Sequence, residues 1–433
     1  MSIAINLGLV IGAIASLLGI MAGVKALGRF GIGSETQRKL IHVATGLFAI
    51  ALPLIFHERW PIAVLLGLSL VVMLLLRSSH RAIAGLGTTL HGVKRESHGE
   101  IYLVLAVGFL AFRIEQGLVF YVLPLLVLTL ADAAAALVGV SYGRRKLQVE
   151  EGAKSVEGVV AFVTTTWLIA MIVLLLMTDA PRLSVVVLSL MIAAFGAIVE
   201  VNSWKGLDNL FIPIGLHLFL VSHLDSPPAQ LVVLAAGFLA TVALILLIAP
   251  RVKVSPHAAK AATVLIFLVC SVTAPHNAIL PVVAIVAHLA ASRTRPCRSR
   301  HPDLDLLGVV AGVSLLWLFV GEQFGVTAIN MFNFTFAVSA AVLLALAGRS
   351  WPVWITAPLI AAVAATFLVV AKWNPAPAQW HGELWLWVAV AMGFALALAW
   401  ALPALFDRYR SPRVFALALA APLLLYMTEG IPR

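Results

Sequence analysis

Apolar residues run along the chain in blocks of about 17 to 25, the length that crosses a bilayer as an α-helix, with short polar stretches between them. The blocks centre near residues 15, 48, 68, 106, 128, 167, 191, 216, 240, 266, 283, 314, 335, 361, 393 and 419. They predict an all-α, polytopic membrane helix bundle with about sixteen spans, of which the fourth, around "IYLVLAVGFLAF", is the shortest. The first block, Ile3 to Leu27, exceeds the apolar core of a signal peptide, and no Lys or Arg stands in the "MSIAIN" that opens the chain. It reads as a retained span.

Composition supports the same class. Apolar residues make up 62% of the 433 positions and charged residues 11%, against about 45–50% and 25% in a soluble domain. The two cysteines, Cys270 in an apolar block and Cys297 in a basic loop, supply neither a disulfide framework nor a zinc set. The net charge of +10 is explained by its distribution. Of the 29 Lys and Arg, 24 fall in connections after odd-numbered spans; the even connections hold only Arg59, Arg113, Arg182 and Lys372, and the tail Arg433. Under the positive-inside rule the odd connections are cytoplasmic and the N-terminus lies outside. The charge therefore reports topology and gives no reason to expect a nucleic-acid partner; the basic stretch Ser292 to His301 reads as one more cytoplasmic loop.

Four polar stretches are richer than topology requires: "SETQRKLIH" (34–42), "VKRESHGEIY" (93–102), "ADAAAALVGVSYGRRKLQVEEGAKSVEG" (131–158) and "EVNSWKGLDNLFIP" (200–213). All lie in odd connections or at their membrane edges, so one cytoplasmic surface collects Arg38, Lys39, His42, Glu100, Asp132, Lys154, Glu157, Glu200, Asp208 and Asn209. Asp132 stands inside an apolar block, where an ionised acid costs roughly 2.5–3.5 kcal/mol and marks a functional position by default. The set has what phosphoryl transfer needs. Carboxylates hold magnesium, cations neutralise phosphates, and glycines admit backbone amides to them. Asp132 and Glu100 are the candidate metal ligands. Lys154 and Ser155, with Gly139, Gly143, Glu157 and Gly158 and the cations Arg38 and Lys39, are the candidate nucleotide contacts. "GVSYG" also fits a small-residue packing face. No GxxxxGK, HExxH or CxxC spacing occurs, which removes Walker, zincin and redox readings.

Taken in order, "RKLIH", "SHGEIY", "LADAAAALVGVSYG", "AKSVEGVVAF" and "VEVNSWKGLDNLFIP" resemble the polyprenol kinase group, the phytol, farnesol and dolichol kinases, over about residues 30–225. The resemblance implies transfer of a phosphoryl group from a nucleoside triphosphate, usually CTP, to a membrane isoprenoid alcohol, with Mg2+ at the phosphates. Asp208, with Asn209 assisting, is the expected orienting or proton-accepting group; His42 is a further candidate, and Glu200 belongs to the same surface. Ala135 stands where phytol kinases often carry a second acid. Phosphatidate cytidylyltransferases share the Asp, the spaced glycines and a motif near "KSVEG", which keeps nucleotidyl transfer to a lipid phosphate as the alternative. "KGLDNLFIP" replaces their later signature.

The expected organisation is a catalytic membrane domain over residues 1–228 and an additional membrane domain over 229–433. The second half has no further catalytic constellation, and "HPDLDLLG" (301–308) reads as a solvated span start. A transporter is a distant alternative, since transporter halves repeat one another and no second copy of the Asp-Gly-Lys-Ser pattern occurs.

Overall fold

A computed structural model describes residues 2–77, 98–149, 152–203, 206–251 and 254–430. Arg81, Lys94, Arg95, Lys205 and Lys253, counted above with the cytoplasmic cations, lie outside the described residues, as does the start of the second polar stretch.

Each of the sixteen predicted blocks is helical. In chain order the helices are α1 (Ile3–Leu27), α2 (Ser34–Ile55), α3 (Arg59–Arg77) and α4 (Gly99–Ala111). The fifth block is interrupted: α5 (Val119–Leu126) runs into a π-helical turn (Val127–Ala131) and then α6 (Asp132–Ser141). Next come α7 (Val156–Met177), α8 (Arg182–Asn202), α9 (Asp208–His223) and α10 (Pro228–Ile248). The remainder are α11 (Pro256–Val272), α12 (Ile279–Thr294), α13 (Pro302–Phe324), α14 (Ala328–Gly348), α15 (Val353–Trp373), α16 (Leu384–Ala401) and α17 (Arg410–Leu425). Twelve helical segments among the described residues are long and apolar enough to cross a membrane. The protein is an integral, multi-pass, all-α membrane protein. One small departure from an all-helical chain is an antiparallel hairpin, β1 (Lys146–Val149) with β2 (Gly152–Ser155), in which Leu147 pairs with Lys154.

The chain forms two compact units, Met1–Leu239 and Ala240–Arg433. In the first, α1 to α5 enclose an apolar core that includes Val10, Leu52, Leu65, Leu110 and Leu125. Helix α9 packs on α4, α5 and α8 and is buried throughout from Ile212 to Leu220. A helix apolar on all faces has to be surrounded. Of its two buried imidazoles, His217 and His223, the first is bonded to the Phe120 carbonyl oxygen at 3.0 Å.

In the second unit the central helix is α14, enclosed by α12, α13, α15, α16 and α17. Most of its polar groups are matched inside the fold: Trp317 Nε1–H donates to Thr335 Oγ1 at 3.0 Å, and Asn330 and Asn333 join Asn277 and Asn374 in a buried amide network, with Asn333 Oδ1 left without a partner among the described residues. Polar groups without water must find partners in this way.

Candidate functional site

The site is assembled at the ends of helices in the first unit. On α2, Lys39 and His42 stand three residues apart and share one face. This face meets the interrupted fifth block. Pro124 has no amide hydrogen to give its helix, and the π turn that follows leaves carbonyls without regular partners. The Leu128 carbonyl oxygen takes a hydrogen bond from His42 Nε2 at 3.1 Å, and the same nitrogen lies 3.3 Å from Asp132 Oδ2. Both neighbours are acceptors. The network therefore assigns the proton to Nε2 and leaves the lone pair on Nδ1. Contact between the two segments is close at Gly46, where a Cβ would stand 2.1 Å from Thr129 Oγ1.

Lys39 closes the first half of the site: its Nζ donates to both carboxylate oxygens of Asp132, at 2.7 and 2.6 Å, with both side chains buried. The hairpin closes the second. It brings Lys154 to the last turn of α8, where Nζ lies 2.7 Å from Glu200 Oε1 and also donates to the Glu200 carbonyl oxygen. Burial pushes the Lys154 ammonium down, but Glu200, then Asp208, outweigh it and hold its pKa above the ordinary lysine value. Between α8 and α9, Ser203 and Asp208 bond reciprocally: Ser203 Oγ–H donates to Asp208 Oδ1 at 2.9 Å and accepts the Asp208 amide at 2.8 Å. This fixes the carboxylate at the N-terminus of α9.

The result is a group of three carboxylates, Asp132, Glu200 and Asp208, with ligand atoms all within 4.8 Å of one another. Two ammonium groups, on Lys39 and Lys154, face three acids. Glu200 Oε2 is buried with no hydrogen-bond partner among the described residues. An uncompensated oxygen in an all-carboxylate set suits a hard divalent cation, which takes oxygen ligands and offsets the remaining charge. The buried Asn209 Oδ1, next to Asp208, also has no hydrogen-bond partner among the described residues.

Not every candidate joins this group. Glu100, expected beside Asp132 at the metal, lies in the first turn of α4 and is not among the grouped carboxylates. Arg38 precedes Lys39 on α2. The glycines meet protein: a Cβ would stand 3.0 Å from Ser155 Oγ at Gly139, 2.7 Å from Ser155 Cβ at Gly143 and 2.7 Å from the Ala135 carbonyl oxygen at Gly158. They let α6 and α7 approach closely. Ser155 caps α7, its Oγ accepting the Gly158 amide at 3.0 Å, and Glu157 Oε1 accepts the Arg145 amide at 3.3 Å. Sequence reasoning did not single out Ser203, whose hydroxyl only becomes meaningful once α9 turns back on α8. It had Glu200 on the surface but not as a metal ligand. The signal was present, because Glu200, like Asp132, is an acid inside an apolar block.

No family model matches the chain, and no solved structure matches it. A phytol kinase of Synechocystis sp. is 29% identical to it over 218 residues, a stretch that covers 49% of this chain and 90% of that protein. Over about half its length the chain thus resembles the polyprenol kinase group in overall sequence as well as in its five motifs.

Proposed function

We propose that the protein is a lipid kinase that transfers the γ-phosphoryl group of a nucleoside triphosphate, CTP in the first instance, to an isoprenoid alcohol dissolved in the membrane. The observation that carries this reading is the convergence of Asp132, Glu200 and Asp208 with Lys39 and Lys154, in a chain similar to a phytol kinase. The catalytic part is residues 1–228, with 229–433 an additional membrane domain. The bias of Lys and Arg toward alternate connections supports a cytoplasmic site and an external N-terminus.

The three carboxylates would hold Mg2+, which supplies charge neutralisation at the phosphates when bound. Lys39 and Lys154 bring two further positive charges to the same place. In the transfer, the alcohol oxygen bonds to the γ-phosphorus as the bond to the bridging oxygen breaks, and the nucleoside diphosphate leaves. The alcohol proton needs an acceptor within hydrogen-bond reach. Asp208, fixed by Ser203, is assigned to the carboxylate group, so we assign proton acceptance to Nδ1 of His42, with Nε2–H held by Leu128 and Asp132. Asn209 at the start of α9 is an orienting group for the alcohol.

Purified protein given γ-labelled CTP, Mg2+ and a panel of phytol, farnesol and dolichol tests the reading. Label in a prenyl phosphate supports it. Label in pyrophosphate together with a CDP-lipid would replace it with nucleotidyl transfer.

A further inference from the structure

In the second unit α12 carries a fully buried histidine, His288, with both ring nitrogens engaged. Nε2 lies 3.2 Å from Asp303 Oδ1 and 3.3 Å from Ser292 Oγ, and Nδ1 lies 3.3 Å from Ser411 Oγ. An ionised carboxylate only accepts, so the network assigns the proton to Nε2, and Nδ1 accepts the Ser411 hydroxyl. Side chains from α12, α13 and α17 thereby hold the Asp303 carboxylate in one orientation. An ionisable residue buried among spans marks a functional position by default. The phosphoryl transfer proposed for the first unit makes no use of this one.

Asp303 is not sealed in with its partner. Its side chain is 29% exposed and lines a cavity of about 480 Å³ within the second unit. The apolar walls are Leu246, Ala249 and Pro250, where α10 ends, and Val254 and Ala259, where α11 begins; Ser255 is the second polar residue. That volume, with a mostly apolar lining and few polar groups, is characteristic of a small-molecule site. The other polar groups of the wall are largely occupied: the Val254 amide donates to the Ala249 carbonyl oxygen at 3.1 Å, and Ser255 Oγ accepts the Ala258 amide at 3.1 Å. The Asp303 carboxylate, with Oδ1 on His288, is the one charged group of the lining among the described residues.

We propose that this cavity binds a lipid alcohol, its hydroxyl on Asp303 and its apolar body along Leu246, Ala249, Pro250 and Val254. The lining selects the head group. A phosphate or carboxylate is repelled by Asp303. A primary ammonium brings three donors, more than Asp303 and Ser255 can accept, and a buried donor left unmatched costs affinity. A quaternary ammonium is recognised by aromatic faces, and no aromatic residue lines the cavity among the described residues. A hydroxyl brings one donor, which Asp303 accepts, and its own oxygen can take the Ser255 hydroxyl in return. That the alcohol is an isoprenoid rests on the kinase reading of the first unit; the choice of a hydroxyl head group does not. The additional membrane domain thus receives a task, holding the acceptor class of substrate in a unit other than the one that carries Asp132.

The test uses the full-length protein in detergent with a farnesol carrying a photoreactive diazirine, read by peptide mass mapping. Label is expected in the peptides spanning 246–259. Farnesol should displace it, and farnesyl methyl ether, which has the same body but no donor, should do so about tenfold or more less well, the loss of one hydrogen bond to a charged acceptor. Asp303→Asn, which keeps the shape of the side chain, should weaken labelling by a similar factor. Leu246→Trp, which fills the cavity and leaves the pairing with His288 in place, should abolish it there. Equal displacement by the ether and the alcohol would make the cavity a slot for any lipid tail and overturn the proposal, as would labelling unaltered in both variants. Phosphorylation measured on the same samples separates the two readings: phosphorylated farnesol without label at 246–259 removes this site alone, whereas displaceable label there without phosphorylation removes the kinase reading and keeps the site.

Discussion

Lys39 and Asp132, 93 residues apart in the chain, face each other with Nζ within 2.7 Å of both carboxylate oxygens, and both side chains are buried. Removing one partner strands a charge in a low-dielectric interior, at a cost of about 3–5 kcal/mol. Lys39→Met is therefore expected to lower thermal stability strongly. Asp132→Asn, which keeps an oxygen for Lys39, should cost less stability while abolishing turnover. Pairing Lys39→Met with Asp132→Leu should recover stability but no activity. Thermal unfolding of the three variants in detergent, set beside prenol phosphorylation, checks the cycle; turnover by Asp132→Asn within a few-fold of the parent would take Asp132 out of the reaction.

Glu200 and Glu100 are distinguishable by their magnesium requirement. With Glu200 in the carboxylate group and Glu100 outside it, Glu200→Gln should raise the Mg2+ concentration for half-maximal activity by at least the roughly tenfold that even outer-shell changes cause. Glu100→Gln should leave that concentration unchanged. Ser203→Ala, which frees the Asp208 carboxylate, should shift it in the same direction as Glu200→Gln by a smaller amount. The reverse ranking of Glu100 and Glu200 would return Glu100 to the metal.

The membrane architecture was legible because helix-length apolar blocks record it directly, and every expected block is a helix. The candidate site was legible in its parts more than in its pairings. Asp132 and Glu200 announce themselves as acids in apolar blocks, whereas the partners they choose depend on which helices meet. Lys39 reaches Asp132 because α2 packs on the interrupted fifth block, and Lys154 reaches Glu200 because a short hairpin carries it there. Four residues of hairpin strand among long apolar helices give almost no periodic signal. The glycines illustrate the opposite difficulty: small residues that admit a phosphate and small residues that admit a helix look alike in sequence, and here they face Ser155 and Ala135.

Topology can be read with single cysteines introduced near residues 39, 255, 349 and 410, with the native Cys297, and near 95, 150 and 205, which lie outside the described residues. An impermeant maleimide applied to intact cells should label none of them and should label all the accessible ones after lysis. Efficient labelling from outside at 150 would invert the proposed orientation.

Asp407 supplies a pH dependence in the second unit. Its hydrogen bond from Arg295 is the largest influence on it and holds its pKa below the usual carboxylate range. A depressed folded-state value means that the contribution to stability is complete above the ordinary value of about 3.9 and is lost as pH falls through the lower, folded one. Asp407→Asn should therefore unfold at a lower temperature near neutrality and show a shallower acid limb than the parent. Parallel acid limbs in the two proteins would contradict the linkage.

The π turn at Val127–Ala131 makes the length of this segment part of the site's design. Each residue of an α-helix advances the chain about 100° around its axis, so the turn sets the rotational phase of everything that follows. Deleting one residue between Val127 and Ala131 would let an unbroken α-helix form, which is the more regular structure. Because the π turn takes up one residue more than an α turn, that deletion would keep Asp132 roughly in phase, whereas an unbroken α-helix of unchanged length would swing Asp132 about 100° away from Lys39 and His42. The span would still cross the membrane and the acid would still be present. The irregularity is a phase setting.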